Sequence, residues 1–307
     1  MFAADFRPEL SVKLIPDSLK KDAHGVIRSE STVFTYKSET SGVEEYHLTL
    51  TVLDKKGKSS PDFYYPGDKF RELANFSAKL YDANGFLLNK YSMSDIRTSE
   101  WTDSYTLTDD VKRNFFSFDV PSYPYTIVYE YNINFKDGIL TFPAFVPQSQ
   151  SNLSVEKSVY VLKIPEGVDY QYKSFNLPDK PVQTNKKGIL SLEWRVDNLK
   201  AIESESFEPD LEKIIPLLYI RPSNFIYDKV KGEISNWDSF GTWVYDLIKD
   251  RNVLSEENKS KIRSLTKDAK SDREKVKILY DYLGETTRYV SIQLGIGGYQ
   301  PMLAAEV

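Results

Sequence analysis

From about residue 10 to about residue 230 the chain alternates apolar and polar positions with a period of two, the pattern of half-buried strands. Between Glu45 and Asp54, Tyr46, Leu48, Leu50 and Val52 fall on one face and His47, Thr49 and Thr51 on the other, before a turn at Lys55-Lys56-Gly57. Phe76, Ala78 and Leu80 run into Asp82-Ala83-Asn84-Gly85 and then Phe86-Leu87-Leu88. Asn-Gly supplies the positive φ angles of a tight turn, so this stretch predicts a hairpin. The clearest strand is Tyr125 to Phe135, where Tyr125, Ile127, Tyr129, Tyr131, Ile133 and Phe135 share one face and Lys136-Asp137-Gly138 makes the turn. Leu153 to Ile164 continues the pattern up to Pro165-Glu166-Gly167, and Gly188 to Val196 repeats it around Trp194. Many strands separated by turn signals predict a mainly antiparallel β-sandwich, either one large or two stacked.

Pro209, Pro216 and Pro222 mark a change of regime, since proline cannot donate a ladder hydrogen bond inside a central strand. Beyond them the period becomes helical. Trp237, Phe240, Val244, Leu247 and Ile248 share a face with Gly241 beside them for close approach, after Ser235 or Asn236 as N-cap. A second helix is expected after Ser255, carrying Ile262, Leu265 and Ala269. In a third, Ser271 and Glu274 make a capping box ahead of Val276, Leu279, Tyr280 and Leu283, with Gly284 as C-terminal cap. The last stretch, Arg288 to Pro301, is a short β-prone run that breaks into a turn at Gly295-Ile296-Gly297-Gly298. The chain therefore reads as α+β, with a β-rich domain over residues 1–230 and a helical start of a second domain over 231–307. One strand and three helices leave apolar faces uncovered. Either these pack on the β domain or their own domain continues past Val307.

Composition narrows the function. The balance of 40 Lys+Arg against 45 Asp+Glu, without long blocks of either sign, argues against a nucleic-acid partner. With no cysteine in the sequence, disulfides, thiolate metal sites and cysteine nucleophiles are excluded within this chain. No apolar run approaches the roughly 18 residues of a membrane-spanning helix, and the first five residues are too short for a secretory signal. Ala3-Ala4 fits either the remnant of a trimmed signal or an arbitrary start. Aromatics reach 14%, with 21 Tyr and 17 Phe, as cross-strand pairing favours. Tyr-rich surfaces also suit glycans and peptides.

A nucleophilic triad needs a base and a residue that orients it. Both histidines, His24 and His47, lie in the β block and read as solvated surface residues. Two histidines without cysteine make a poor zinc site. The acidic stretch Glu203, Glu205, Glu208, Asp210 lacks the spacing and glycine of an EF-hand loop and reads as a solvated face. The Gly295 to Gly298 segment lacks the third glycine and following helix of a dinucleotide motif. No cofactor, metal site or catalytic residue is assigned.

Three runs carry a resemblance: Asn236-Trp237-Asp238-Ser239-Phe240-Gly241-Thr242-Trp243; Asp272 to Val276 with Leu279-Tyr280-Asp281-Tyr282; and Arg288 to Ile292 with Gly295 to Pro301. Together they resemble the start of the bacterial transglutaminase-like domain, of papain-type fold. Asp119-Val120-Pro121, Ile127 to Tyr131 and Ala201 to Glu205 followed by Pro209 are similar to the uncharacterised β-rich domain that commonly precedes it in exported bacterial proteins. The resemblance implies an exported, periplasmic or cell-surface parent that attacks an amide or peptide bond through a cysteine. That cysteine and its triad would follow Ala304-Ala305-Glu306-Val307, so no catalytic residue carries over. What carries over is scaffolding, with Tyr299 and Gln300 as cleft-wall candidates and Gln300 either an amide donor near an oxyanion or a turn residue bonding its own backbone. The implied partners are a peptide or glycan substrate and the remaining transglutaminase-like domain. The alternative is a binding module for glycans or cell-wall peptides, which would require Trp101, Tyr105, Tyr123 and Tyr125 on one solvated face.

Overall fold

The computed structural model describes residues 5–57, 62–100, 106–108, 112–120, 122–177, 180–288, 291–292 and 295–306. A short helix α1 (Asp17–Lys20) precedes strands β1 (Gly25–Ser38), β2 (Ser41–Val52), β3 (Phe63–Gly67), β4 (Arg71–Asp82), β5 (Leu87–Ser92) and β6 (Arg97–Glu100). Next come β7 (Thr106–Thr108), β8 (Lys112–Phe116), β9 (Tyr125–Lys136), β10 (Leu153–Pro165), β11 (Tyr170–Phe175), β12 (Val182–Lys186) and β13 (Ile189–Leu199). The remaining elements are β14 (Leu217–Pro222), β15 (Asn224–Tyr227), β16 (Val230–Glu233), α2 (Trp237–Ile248), α3 (Glu256–Thr266), α4 (Asp272–Thr286) and β17 (Ser291–Ile292). They form two compact units, Met1–Glu100 with Val111–Lys231, and Trp101–Asp110 with Gly232–Val307.

The first unit is built on an eight-stranded sheet in the order β12-β13-β10-β1-β2-β9-β4-β5. Its pairings are antiparallel except one: β1 and β10 run parallel, Gly25 opposite Leu153 and Phe34 opposite Leu162. The expected sheet was mainly antiparallel, and this junction makes it mixed. The reason is directional. Since β2 opposes both β1 and β9, the latter finishes at the end where β1 finishes. A parallel neighbour of β1 must start at the other end, so the chain has to cross back. Residues 137–152 do this over the core face, where Phe142 packs on Phe34 with ring centroids 5.0 Å apart and Phe145 bridges to Leu218.

One face of the sheet is the core. Following the register across it, Trp194, Tyr160, Thr32, Tyr46, Tyr131 and Phe76 make a continuous cross-strand row. The neighbouring row runs Leu192, Leu162, Phe34, Glu44, Ile133 and Leu73. Smaller sheets cover this face. From the three-stranded β3-β8-β6 sheet, Phe63 meets Phe76 at 4.6 Å and Tyr131 at 5.5 Å. From the β11-β14 pair, Tyr172 meets Trp194 at 5.4 Å, and Leu218 and Ile220 are buried. Each aromatic withdrawn here contributes about 1.5–3 kcal/mol from apolar burial. The opposite face is polar over most of its length. Where it is not, Ile15 and Leu19 pack on Val26, and Ser154 Oγ donates to the Leu19 carbonyl at 2.6 Å.

The hairpin between β4 and β5 forms where the pattern predicts it, with a different turn. Only Gly85 takes a positive φ, 93°; Asn84 does not. The Asp82 carboxylate supplies the remaining order by accepting the amides of Asn84 and Phe86 at 2.8 and 2.9 Å. A Cβ on Gly85 would fall 2.1 Å from the Arg7 carbonyl oxygen.

In the second unit Asn236 caps α2, its side chain accepting the Ser239 amide at 2.9 Å. The buried stripe of that helix is Trp243 and Leu247 with half-buried Phe240 and Val244. Trp237, expected on the buried face, is 85% exposed, and a Cβ on Gly241 would meet nothing within 4 Å, so no close approach occurs there. α3 begins after Ser255 as expected, with the Ser255 side chain capping it, and Ala269 lies beyond its end. Ser271 caps α4, but the Glu274 carboxylate reaches the Lys270 amide, one residue further back than a capping box requires. Gly284 lies inside this helix, which continues to Thr286, because the Thr287 amide still finds the Leu283 carbonyl at 2.9 Å. The short strands β7 and β17 pair in parallel.

Candidate functional site

The C-terminal glycine segment folds as a turn of 3-10 helix over Gly295–Gly298, entered at Gly295 with φ 52°. The Ile296 carbonyl accepts the amides of Tyr299 and Gln300, both at 2.9 Å. This aims both predicted residues at α2. The Tyr299 ring lies 5.2 Å from Trp243 and 6.4 Å from Phe240, edge-on to both, so it extends the aromatic stripe of the helix. Gln300 Nε2 donates to the Leu247 carbonyl at 2.9 Å. The last carbonyls of a helix have no partner within it, and Gln300 satisfies one of them. Two further bonds fasten the same junction: Arg251 donates to the Pro301 carbonyl at 3.1 Å, and the Ala304 amide to the Arg251 carbonyl at 2.8 Å. Tyr299 and Gln300 thus both meet α2, with the Gln300 amide engaged at the end of that helix.

Of the other sequence candidates, His24 Nδ1 lies 2.8 Å from Asp54 and is partly buried; His47 Nδ1 lies 3.2 Å from Glu130, its cross-strand neighbour, on the polar face. In the acidic stretch Glu208 folds back, accepting from the Glu205 amide and the Ser204 hydroxyl. Among the described residues no group of three or more acidic or histidine side chains could hold a metal ion. Tyr123 is half-buried and Tyr125 buried, their rings 5.3 Å apart, while Trp101 and Tyr105 lie outside the described residues. Among the described residues no helix is long and apolar enough to cross a membrane.

Sequence reasoning missed two carboxylates on the core face. Glu44, 7% exposed, sits in the row between Phe34 and Ile133. Burial pushes its carboxyl up to about 7, against the opposing pull of the Tyr131 hydroxyl and the Arg71 charge. Glu30 accepts from Tyr46 Oη and Ser158 Oγ, both at 2.5 Å. Its carboxyl is raised by burial too, and those two hydrogen bonds counter the shift. The Tyr46 hydroxyl is in turn pushed well above its ordinary value by burial and by Glu30. The signal was available: extending the alternation of β2 back from Tyr46 puts Glu44 on the apolar face.

Comparison with known proteins bears on the fold and the family. No curated protein matches the chain. A solved structure described as a putative protease from Parabacteroides distasonis superimposes with a TM-score of 0.63 at 18% identity, over 90% of this chain and 53% of that one. An M1 zinc metallopeptidase from Deinococcus radiodurans gives 0.30 at 8% identity, over 80% and 53%. A putative nutrient binding protein from Legionella pneumophila gives 0.32 at 9%, over 85% and 94%. The chain spans about half the length of the first two. The model of a domain of unknown function that has a solved structure, DUF3857, matches residues 38–203, more than half of the chain, and the chain therefore belongs to the DUF3857 family.

Proposed function

We propose that this chain is the non-catalytic N-terminal region of an exported, transglutaminase-like cysteine peptidase or amidase, its β-rich unit positioning substrate or partner for a catalytic half outside the chain. The observation that carries the reading is the open apolar stripe of α4: Val276, Tyr280 and Leu283, at i, i+4 and i+7, are 66%, 76% and 52% exposed. A stripe of that width faces a core when its domain is complete. Three further observations support the reading: the likeness of fold to a neighbour described as a putative protease, that neighbour's greater length, and the absence of any cysteine here. On this reading Tyr299 and Gln300 form part of the cleft wall, held by α2 before the catalytic residues are added.

The test is to translate the gene past the codon for Val307 and express the longer polypeptide. The expected product has a Gly-Asp-Cys type motif with later His and Asp, amide-bond activity sensitive to alkylating reagents, and α4 amides that exchange more slowly than in the present chain. A longer product without a cysteine, or alkylation-sensitive hydrolysis by the present chain alone, would overturn the proposal. The module reading gains no support, because Tyr125 belongs to the core.

A further inference from the structure

Glu30 has an environment that the proposed role of the chain does not use. It lies on the core face in β1, opposite Ser158 of β10 and Leu48 of β2. Hydroxyls converge on it: Tyr46 and Ser158 donate to its two oxygens. Three tyrosine rings stand side by side next to it, Tyr46 and Tyr131 stacked at 4.8 Å and Tyr46 and Tyr129 at 5.9 Å. Among the described residues no cation pairs with it. Arg28, two residues away, bonds Glu156 at 2.9 Å and the carbonyls of Glu9 and Leu10.

A carboxylate withdrawn from water without a cation is costly, and the usual compensation is a positive partner. Glu30 is not sealed off: it is half-buried, as are Tyr46, Tyr129 and Tyr131. The cluster therefore keeps open surface on the core face, and its chemistry selects what it can bind. A carboxylate is acceptor-only, and a primary ammonium is donor-only with three N–H groups. Tyrosine rings beside the carboxylate accommodate both the charge and the alkyl stem behind it. A metal ion needs more oxygen ligands, and the other buried carboxylate, Glu44, lies four residues along the ladder, about 13 Å at ~3.3 Å per residue.

We propose that Glu30, with Tyr46 and Ser158, forms a binding site for a primary alkyl-ammonium group, carried by a free diamine or by a lysine side chain. The ammonium would supply the positive partner that Glu30 does not find among the described residues.

The test is calorimetric titration of the purified chain with cadaverine and, separately, with a lysine-containing tripeptide; 1,5-pentanediol serves as the uncharged analogue. Wild type should bind at least one amine saturably and not the diol. Glu30→Gln should weaken binding by about tenfold or more, while Glu193→Gln, an exposed position on β13, should not. Binding of cadaverine alone points to a free diamine, and binding of the peptide to a protein lysine. If Glu30→Gln does not keep a cooperative melting transition, Tyr46→Phe decides. It keeps the ring and removes a hydrogen bond that lowers the Glu30 carboxyl, so the pH midpoint of amine binding should move up. No saturable amine binding through the millimolar range, equal binding of the diol, or an unmoved midpoint in Tyr46→Phe would overturn the proposal.

Discussion

On β10, Tyr160, Leu162 and Ile164 are fully withdrawn from solvent, whereas on α4 Val276, Tyr280 and Leu283 leave more than half of their surface open. Both triplets follow the period of their element, two in the strand and three to four in the helix. The difference lies in what faces them. The strand row is covered by β11, β14 and the crossover of residues 137–152, all parts of the same unit. In the helical unit only Trp243 and Leu247 of α2 are buried within the long helices. An apolar pattern thus specifies an element and the face it turns inward, but the cover has to come from elsewhere, and the sheet unit contains its own.

If the sheet unit is the self-sufficient half, the largest effect should come from emptying its core. Trp194 is 2% exposed and packs edge-on against Tyr160 and Tyr172. Trp194→Ala should cost about 3–5 kcal/mol, read from urea unfolding followed by far-UV circular dichroism. A loss below about 1 kcal/mol would mean that this core is loose, and the contrast with the helices would fail.

The next effect sharpens the contrast from within the sheet, since Glu44 is a liability that the well-packed unit tolerates. Its carboxyl is pushed up to about 7 when folded and returns to about 4.3 when unfolded. The folded state therefore holds the proton more tightly. The stability linked to this group is fully present below about pH 4, declines as pH rises, and is exhausted above about pH 7. Glu44→Gln, which never ionises, should match wild type near pH 4 and exceed it by about 3–4 kcal/mol at pH 8. Equal stabilities at pH 8 would place the carboxylate in better-hydrated surroundings than its row suggests.

Local signals were the legible part of the sequence. Strands such as Tyr125–Lys136 and Leu153–Pro165 follow from alternation, and Asn236, Ser255 and Ser271 cap helices through bonds spanning three residues. What depended on distant partners was not legible. The parallel β1–β10 junction joins residues 128 positions apart, as the Arg28–Glu156 bond across it shows. Trp243 is absent from the stripe read in the sequence, because Trp237 and Ile248 also fit one; in the structure it packs on the Tyr299 ring, which comes much later in the chain. Tyr299 and Gln300 were legible as candidates, but the helix carbonyl that Gln300 holds lies 53 residues earlier. Gly85 was half-legible. Its turn could be read, the approach of Arg7 could not, and Gly85→Ala should cost about 2 kcal/mol through the strained φ and that contact, measured as a lower melting temperature.

The smallest expected effect is the sharpest test of the contrast. Tyr280 is 76% exposed in the middle of α4, and serine and tyrosine have similar helix propensities. If nothing in this chain covers the stripe, Tyr280→Ser should change stability by no more than about 0.5 kcal/mol, the range of surface substitutions. It should also weaken binding of a hydrophobic dye, because the ring contributes to an open patch with Val276 and Leu283. A loss above about 2 kcal/mol would show that the ring is buried in solution, by this chain or a second copy of it, and dilution would separate those two. The proposed function adds one expectation: in a longer polypeptide carrying the catalytic half, the same substitution should become costly, because the added segment would cover Tyr280.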